Sequence, residues 1–518
     1  MQLSAVLLSS ILVFVPGALA APTARDLTVS ADVGISAAET GDKLVFCHFM
    51  IGVVSNRASA DDYDDDMRHA HAMGIDAFAL NIGTDNYTST QLDYAYESAA
   101  RNEMKVFISF DFNRFQVNQG ADLGAQIAAF AGKDAQLKIG EKVFASSFAG
   151  DGVDSQAVRD AAGVDIFWAP NFRADADVGA VDGLLNWIAW PNNGNNKAPT
   201  GGEALVSVAD GDAAYVAALG EKPMIAALSP WFFTHFGSEV DYSKNWVFPS
   251  DLLIYRRWMD ILASKPQFVE MITWNDYGES HYMGPLNSSH TDDGGSKWAN
   301  DMPHTGWLEL SQPFIAAFKA GATDISDYIT EDKLIYWYRP TPKSLDCDAT
   351  DTTMDDANNS TGNYFKGRPD GWDTLTDEVF VVSLLTAPGT TTVNTGGAVH
   401  TFDAPAGASA FSVPFAVGAQ TFSVERDGAQ VLQATSLKEI KNECPCGMYN
   451  FNAYVGTVPE GAADVLAQDG LSNFATGLKV ACDPQPSLGT TPPAVAAVTA
   501  TLDPGTPAPT SPAIRRRR

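Results

Sequence analysis

Leu44-Val45-Phe46-Cys47-His48-Phe49-Met50-Ile51-Gly52, then an acid-headed helical pattern over 61–73, then Ile75-Asp76-Ala77-Phe78-Ala79-Leu80-Asn81-Ile82-Gly83: the fold turns on this stretch. Both apolar runs are too continuous for a strand with one wet face; they read as strands covered on both sides. The segment between them opens with aspartates, which suit the positive end of a helix. Strand, helix, strand at this spacing implies two parallel neighbours with a helical crossover.

The theme recurs outward from there. Apolar runs at 44–52, 75–83, 105–112, 142–150, 164–172, 184–190, 223–233 and 268–276 each end in polar or aromatic residues, and helical patterns lie between them, as at 90–102 and 251–264. Eight such units predict an α/β fold, a (β/α)8 TIM-type barrel. That fold places its active site at the C-terminal ends of the strands. Polar residues gather at those ends: His48, Asn81, Asp111 and Asn113, Asp151, Asn171 and Arg173, Trp231 and His235, then Asp276 and Glu279. A helix cap or a turn explains any one of them taken singly; their shared position is what counts. Beyond about 325 the texture changes to Val-, Thr- and Phe-rich runs at 374–385, 391–399 and 420–426 with turn residues between, a β-rich, sandwich-like accessory domain. From 484 the chain is rich in Pro, Thr and Ala, the composition of a disordered tail. The expected organisation is a signal peptide over 1–20, a catalytic domain over 40–325, the β-rich domain over 326–483 and a tail over 484–518.

Composition bounds the function. Over 518 residues the net charge is −30, which repels nucleic acid and anionic membrane surfaces and suits a neutral substrate. Residues 7–15 are mostly apolar, Pro16 and Gly17 break the run, and Ala18-Leu19-Ala20 fits a small-x-small cleavage pattern, so export is expected. Acceptor triplets for N-glycans at Asn86, Asn287, Asn358 and Asn359 agree with a secreted or cell-wall protein. No later run is long enough for a membrane span. Four of the five cysteines, Cys347, Cys444, Cys446 and Cys482, fall in the last third, where two disulfides have three possible connectivities; Cys444 and Cys446 are expected to bond outward, and Cys47 to be a buried thiol. No histidine cluster accompanies the Cys-x-Cys pair, so a zinc site is not expected. The acidic run at 61–66 lacks calcium-loop spacing and reads as a solvated helix start, and Asp292-Asp293-Gly294-Gly295 reads as a turn.

The chemistry concentrates in Thr273-Trp274-Asn275-Asp276-Tyr277-Gly278-Glu279-Ser280-His281-Tyr282. Two carboxylates stand three residues apart among aromatic side chains at the end of the eighth strand. Glycoside hydrolysis uses such a pair, one carboxyl protonating the leaving oxygen and the other acting on water or on the sugar carbon, while rings pack on sugar C–H faces. A lone D-x-x-E pair is more often a solvated turn; the aromatic setting and the place on the barrel favour function. Sequence spacing leaves inverting and retaining geometries both open, because extended and turned backbones span the two separations.

Here the residues become specific. Trp274-Asn275-Asp276-Tyr277-Gly278-Glu279-Ser280 resembles the signature of glycoside hydrolase family 71, the fungal α-1,3-glucanases or mutanases. Val45-Phe46-Cys47-His48-Phe49, Asp76-Ala77-Phe78-Ala79-Leu80-Asn81, Ile108-Ser109-Phe110-Asp111 and Met302-Pro303-His304-Thr305-Gly306-Trp307 are similar to further segments of that family, in order. The resemblance implies endo-hydrolysis of α-1,3-glucan with inversion and without a metal or other cofactor. It implies Asp276 and Glu279 as the catalytic pair, with Asp111 a third carboxylate nearby. Glu279 is assigned as acid and Asp276 as base, in an order that remains interchangeable. Expected to contact substrate are His48, Asn81, Asn113, Trp168, Asn171, Trp231, Trp274, Tyr277, His281, Tyr282 and His304; Trp190 and Phe232 are further candidates, and His304 and Trp307 are read as part of a loop over the site. The expected partner is the α-1,3-glucan of fungal walls, and the expected state a monomer. Two rivals stand beside this reading: a barrel glycosidase for another glucan, and a catalytically dead carbohydrate-binding wall protein, against which the presence of both carboxylates speaks.

Overall fold

Phe46 and His48 point to one side of the first strand, and Cys47 and Phe49 to the other, as alternation along an extended chain requires. That parity organises the whole parallel sheet. The computed structural model describes residues 42–199, 205–237, 240, 243–354, 366–480, 482 and 485–495. The expected signal at 1–20, the triplets at Asn358 and Asn359 and residues 496–518 of the expected 484–518 tail lie outside these residues.

Strands and helices alternate as β1 (Leu44–Met50), α1 (Asp64–Ala72), β2 (Ala77–Ile82), α2 (Thr88–Arg101), β3 (Lys105–Asp111), α3 (Gly120–Phe130), β4 (Lys142–Phe148), α4 (Ser155–Ala162), β5 (Ile166–Trp168), β6 (Leu184–Asn186), α5 (Val208–Leu219), β7 (Met224–Leu228), α6 (Leu253–Ser264), β8 (Phe268–Met271) and α7 (Thr305–Lys319). The eight strands are parallel, in the order β5-β4-β3-β2-β1-β8-β7-β6. The sheet is curled, and backbone bonds link the segments flanking its two end strands: Leu185 N–H donates to the Pro170 carbonyl at 2.9 Å, and Asp182 N–H to that of Trp168 at 2.8 Å. The repeat is not uniform. No helix separates β5 from β6 among the described residues, and a hairpin of Phe233–Phe236 and Lys244–Val247 precedes α6.

The concave side is filled in layers. Its base is a knot of phenylalanines: Phe46 lies 5.1 Å from Phe107 and 5.3 Å from Phe144, while Phe144 stacks on Phe167 at 5.2 Å. Burying each such ring contributes about 1.5–3 kcal/mol. Two residues further along four of the strands the same face turns polar, with His48, Ser109, Ser146 and Glu270 all buried. Two further still it presents Asn81 and Asp111. The floor is therefore dry, and the polar chemistry sits on top of it.

The convex side packs against the helices in a larger core that includes Cys47, Phe49, Phe78, Leu80, Ile108, Phe110 and Trp168. Local signals hold the helices in place. Asp154 caps α4 by accepting the N–H groups of Gln156 and Ala157, and Gly163 ends it at φ 61°. Ser207 and Asp210 form a reciprocal capping box on α5. α3 meets α4 so closely that a Cβ on Gly124 would lie 2.2 Å from the Val158 carbonyl oxygen.

Two antiparallel sheets follow, built from β9 (Lys333–Tyr338), β10 (Glu378–Leu385), β11 (Gly389–Thr395), β12 (Ala398–Ala404), β13 (Gly407–Pro414), β14 (Gln420–Arg426), β15 (Ala429–Thr435) and β16 (Tyr454–Val458). Their orders are β13-β10-β9-β16 and β12-β11-β14-β15. They share a core in which Tyr336 stacks on Phe422 at 3.8 Å. The opposite face of β9 carries Trp337, which joins Trp307 of α7 in the helix-side core. Disulfides join Cys347 to Cys444 and Cys446 to Cys482, which is the outward bonding expected of the Cys-x-Cys pair, and Cys47 is a buried thiol. No helix of the described residues is long and apolar enough to cross a membrane.

Candidate active site

Beyond β8 the chain makes a tight turn whose geometry follows from its sequence. Asp276 N–H donates to Thr273 Oγ1 at 2.9 Å, and Asp276 Oδ1 accepts the Glu279 N–H at 3.1 Å, capping the 3-10 turn Tyr277–Glu279. Asn275 clamps the turn to the end of β1: its Oδ1 accepts the Met50 N–H at 2.7 Å and its Nδ2 donates to the Met50 carbonyl at 3.2 Å. Only glycine fits at 278. A Cβ there would lie 2.5 Å from Asp293 Oδ2 and 2.6 Å from the Phe236 ring.

The turn presents Asp276 and Glu279 to a cavity of about 160 Å³ at the C-terminal ends of the parallel strands. His48, Asn81, Asp111 and Asn113 line the same cavity. Its remaining wall is aromatic: Trp190 stacks on Phe248 at 5.4 Å, Phe232 on Trp246 at 6.4 Å, and Trp187 meets Phe148 edge-on at 4.7 Å. Carboxyls and amides thus face a bank of rings, an arrangement that offers hydrogen bonds to sugar hydroxyls and apolar faces to sugar C–H groups.

One donor atom from each of Asp276, Glu279 and His281 lies within 4.8 Å of the others. His281 is buried; its Nε2 lies 2.8 Å from Glu279 Oε2 and 3.7 Å from Asp276 Oδ2, and its Nδ1 lies 3.2 Å from Thr273 Oγ1. Burial, helped by Lys244 and opposed by Asp276, lowers its pKa to about 4. At higher pH the ring is neutral. With the Thr273 hydroxyl donating to Nδ1, the Nε2–H donates to Glu279, a tautomer assigned from the hydrogen-bond pattern. Lys244 Nζ contacts the other Glu279 oxygen, Oε1. Burial lowers the Lys244 pKa, against the opposing pull of Asp276, Asp293 and Asp111.

Asp111 is pushed the other way. Burial raises its carboxyl, with a contribution from Asp276, while the Asn113 N–H, His48 and Arg114 hold it back. Asp293, behind the turn, is raised to about 7, again chiefly by burial. Beneath the cavity, His48 Nδ1 and Glu270 Oε1 lie 2.8 Å apart and both side chains are buried; Trp187 packs edge-on against the imidazole at 4.8 Å.

The other expected contact residues lie elsewhere. Trp168 faces the helices and its Nε1 donates to Ser155 Oγ at 3.2 Å. Asn171 braces two loops, accepting the Ala149 N–H and donating to the Leu185 carbonyl. Trp231 is buried, donates to the Phe451 carbonyl and stacks on Trp307. Trp274 is buried behind the turn and donates to Asp66 at 2.9 Å. Tyr277 stacks on His290 and donates to the Pro285 carbonyl. His281 lies directly behind the two carboxyls. Tyr282 is buried and donates to the Met302 carbonyl. His304 bonds the carbonyls of Tyr282 and Ala453 at the start of α7; with Trp307 it belongs to the core, not to a loop over the site. Trp274, Tyr277 and His281 back the turn from behind.

Sequence reasoning missed Lys244, Glu270, Asp293, Trp187, Trp246 and Phe248. Three carried a signal. Glu270 is a charge inside an otherwise apolar strand, and Lys244-Asn245-Trp246-Val247 alternates in a way that puts Lys244 and Trp246 on one face.

Comparison with known proteins gives the family. A mutanase of Penicillium rubens is 40% identical over 430 residues, 82% of this chain and 90% of the relative. The glucan endo-1,3-alpha-glucosidase agn1 of Schizosaccharomyces pombe is 33% identical over 80% of this chain and 95% of its own length. The ascus wall endo-1,3-alpha-glucanase of the same yeast is 27% identical over 79% and 96%. Among solved structures, a GH99 endo-alpha-mannosidase from Bacteroides thetaiotaomicron aligns with TM-score 0.40 and 10% identity over 54% of this chain and 98% of that one, too slight a likeness to carry any argument. Residues 41–467 match the family described as glycosyl hydrolase family 71, and the chain therefore belongs to glycosyl hydrolase family 71.

Proposed function

We propose that this protein is an exported, monomeric endo-α-1,3-glucanase, and that Asp276 and Glu279 perform its acid/base chemistry at the mouth of a closed (β/α)8 barrel followed by a β-sandwich. The observation that carries the reading is the D-x-x-E turn itself: two carboxyls, Asp276 held by the turn's backbone and Glu279 by Lys244 and His281, open into an aromatic-walled cavity above a dry core. The names of the relatives supply the substrate. Two disulfides suit an oxidising compartment.

The contacts favour the swapped one of the two orders left open, with Glu279 as base. Both Glu279 oxygens accept from donors, Oε1 from Lys244 and Oε2 from His281. A carboxyl so paired keeps its negative charge and has no proton to give. Glu279 is then the group that takes a proton from water. The proton for the leaving oxygen is carried on the Asp276–Asp111 side, where burial raises the Asp111 carboxyl. His48, held by Glu270, and Asn81 and Asn113 bind hydroxyls.

Inversion needs room for a water, and inverting pairs stand about 6.5–9.5 Å apart. One oxygen of Asp276 lies within 4.8 Å of one of Glu279, closer than that range, so the anomer formed decides between inversion and retention. Two assays test the reading. Reducing-sugar release is compared across α-1,3-, β-1,3- and α-1,4-glucans, with turnover of the first alone expected. Proton NMR in the first minutes of reaction reads the new chain end, with the β-anomer expected. Preference for another glucan removes the substrate assignment, and an α-anomer replaces inversion with retention.

A further inference from the structure

We propose that Lys244 is a positioning residue that keeps Glu279 ionised, and that the hairpin carrying it is anchored for that task by the segments around Asp351 and Asp370. The proposal rests on the role of Glu279 given above and adds the group that sets its charge.

A neutral glucan offers an ammonium hydroxyl oxygens but no counter-charge, and an ammonium drawn out of water is costly unless a carboxylate meets it. The carboxylate that meets Lys244 is Glu279. The charged and titratable groups around the ammonium are Glu279, Asp276 and His281 from the turn, Asp293 from the loop behind it and Asp111 from the end of β3. The Lys244 ammonium lies 5.9 Å from the Phe232 ring and 5.7 Å from that of Trp246, so its approach to Glu279 is bounded by the aromatic wall.

The hairpin has little freedom to withdraw. Alternation places Lys244 on the cavity face and Asn245 on the buried face. Asn245 Oδ1 lies 2.8 Å from His235 Nδ1, and His235 Nε2 lies 2.8 Å from Asp351 Oδ2. Asn245 Nδ2 donates to the Gly367 carbonyl at 3.0 Å. Val247 N–H donates to the Asp370 carbonyl at 2.9 Å, and Asp370 N–H returns to the Asn245 carbonyl at 3.0 Å. Asp351 follows Cys347, whose disulfide to Cys444 ties this arm to the later part of the chain.

The test reads Glu279 directly. Protein carrying 13Cδ-labelled glutamate is titrated by NMR, with the Glu279 resonance assigned from Glu279→Gln. In Lys244→Met the Glu279 midpoint rises by about 1–3 pH units, the effect of removing an opposite charge in contact, and Lys244→Arg restores it. In kinetics on α-1,3-glucan the acid limb of kcat/KM moves up by the same amount in Lys244→Met. An unmoved Glu279 midpoint in folded Lys244→Met overturns the proposal, as does a rise in KM with an unmoved acid limb, which marks a plain sugar contact. If circular dichroism shows Lys244→Met unfolded, Lys244→Gln is read by the same two criteria. The NMR readout needs no turnover, so an inactive unmodified protein refutes the glucanase reading while the pairing is still decided.

Discussion

Replacing Gly278 with alanine tests whether the catalytic turn is placed by what lies behind it. The new Cβ would stand 2.5 Å from Asp293 Oδ2 and 2.6 and 2.9 Å from two carbons of the Phe236 ring. Ordinary contact begins near 3.5 Å, so something must move by about 1 Å. The backing atoms are poorly placed to yield: Asp293 is tied to the Gly295 N–H at 2.9 Å, and the Phe236 ring is wedged against Trp298 at 5.0 Å. The turn moves instead, and Glu279 moves with it. Overpacking of this kind costs about 1–3 kcal/mol of stability. A displacement of about 1 Å at a catalytic group costs on the order of 100-fold in rate. The assay is kcat/KM on α-1,3-glucan beside a thermal melt. Gly132→Ala is the control, because nothing lies within 4 Å of its added methyl; it is expected to leave both quantities nearly unchanged. Gly278→Ala with kcat/KM within about threefold of the parent and an unshifted melt would refute the reasoning.

Three further outcomes follow from the same coordinates. Asp293 is raised to about 7, so between about pH 4 and 7 the folded chain holds a proton that the unfolded chain has lost, and stability falls as pH rises through that window; Asp293→Asn flattens that slope in melts taken across the range, and an unchanged slope removes this group as its cause. For Asp351, burial pushes the carboxyl up, but His235, Thr353 and the Tyr449 N–H more than offset it and hold it at about 2, so its contribution is present above about pH 4 and is lost as pH falls toward 2; Asp351→Asn costs about 2 kcal/mol at pH 7 by denaturant titration and little near pH 2. Phe46→Ala empties the centre of the phenylalanine knot and costs about 3–5 kcal/mol by the same titration, with a loss below about 1 kcal/mol arguing against a packed interior.

What the sequence reveals and what it hides divide along physical lines. Continuous apolar runs mark all eight parallel strands, because burial on both faces leaves no choice of residue. The D-x-x-E turn is legible because its side chains serve its own backbone, as Asp276 does in capping Glu279. Which tryptophans reach the cavity is not legible, since one residue of parity decides it. In β5 the inward position is Phe167, so Trp168 faces the helices; beyond β6 the inward parity of Leu185 carries Trp187 into the cavity. Lys244 is hidden for another reason. Its partner lies 35 positions along the chain, and only the fold of the hairpin brings the two together. The run 164–172 was expected to lead through a helix to the next strand, but β5 passes to β6 without one among the described residues, and Trp168 and Pro170 accept backbone bonds from Asp182 and Leu185.

The most direct test of the central claim is reducing-sugar release from insoluble α-1,3-glucan by the purified protein, run beside Asp276→Asn and Glu279→Gln with circular dichroism on all three. The account predicts turnover by the unmodified protein and a loss of at least about 1,000-fold in each folded variant. Turnover that survives either substitution at near-parental rate would contradict it.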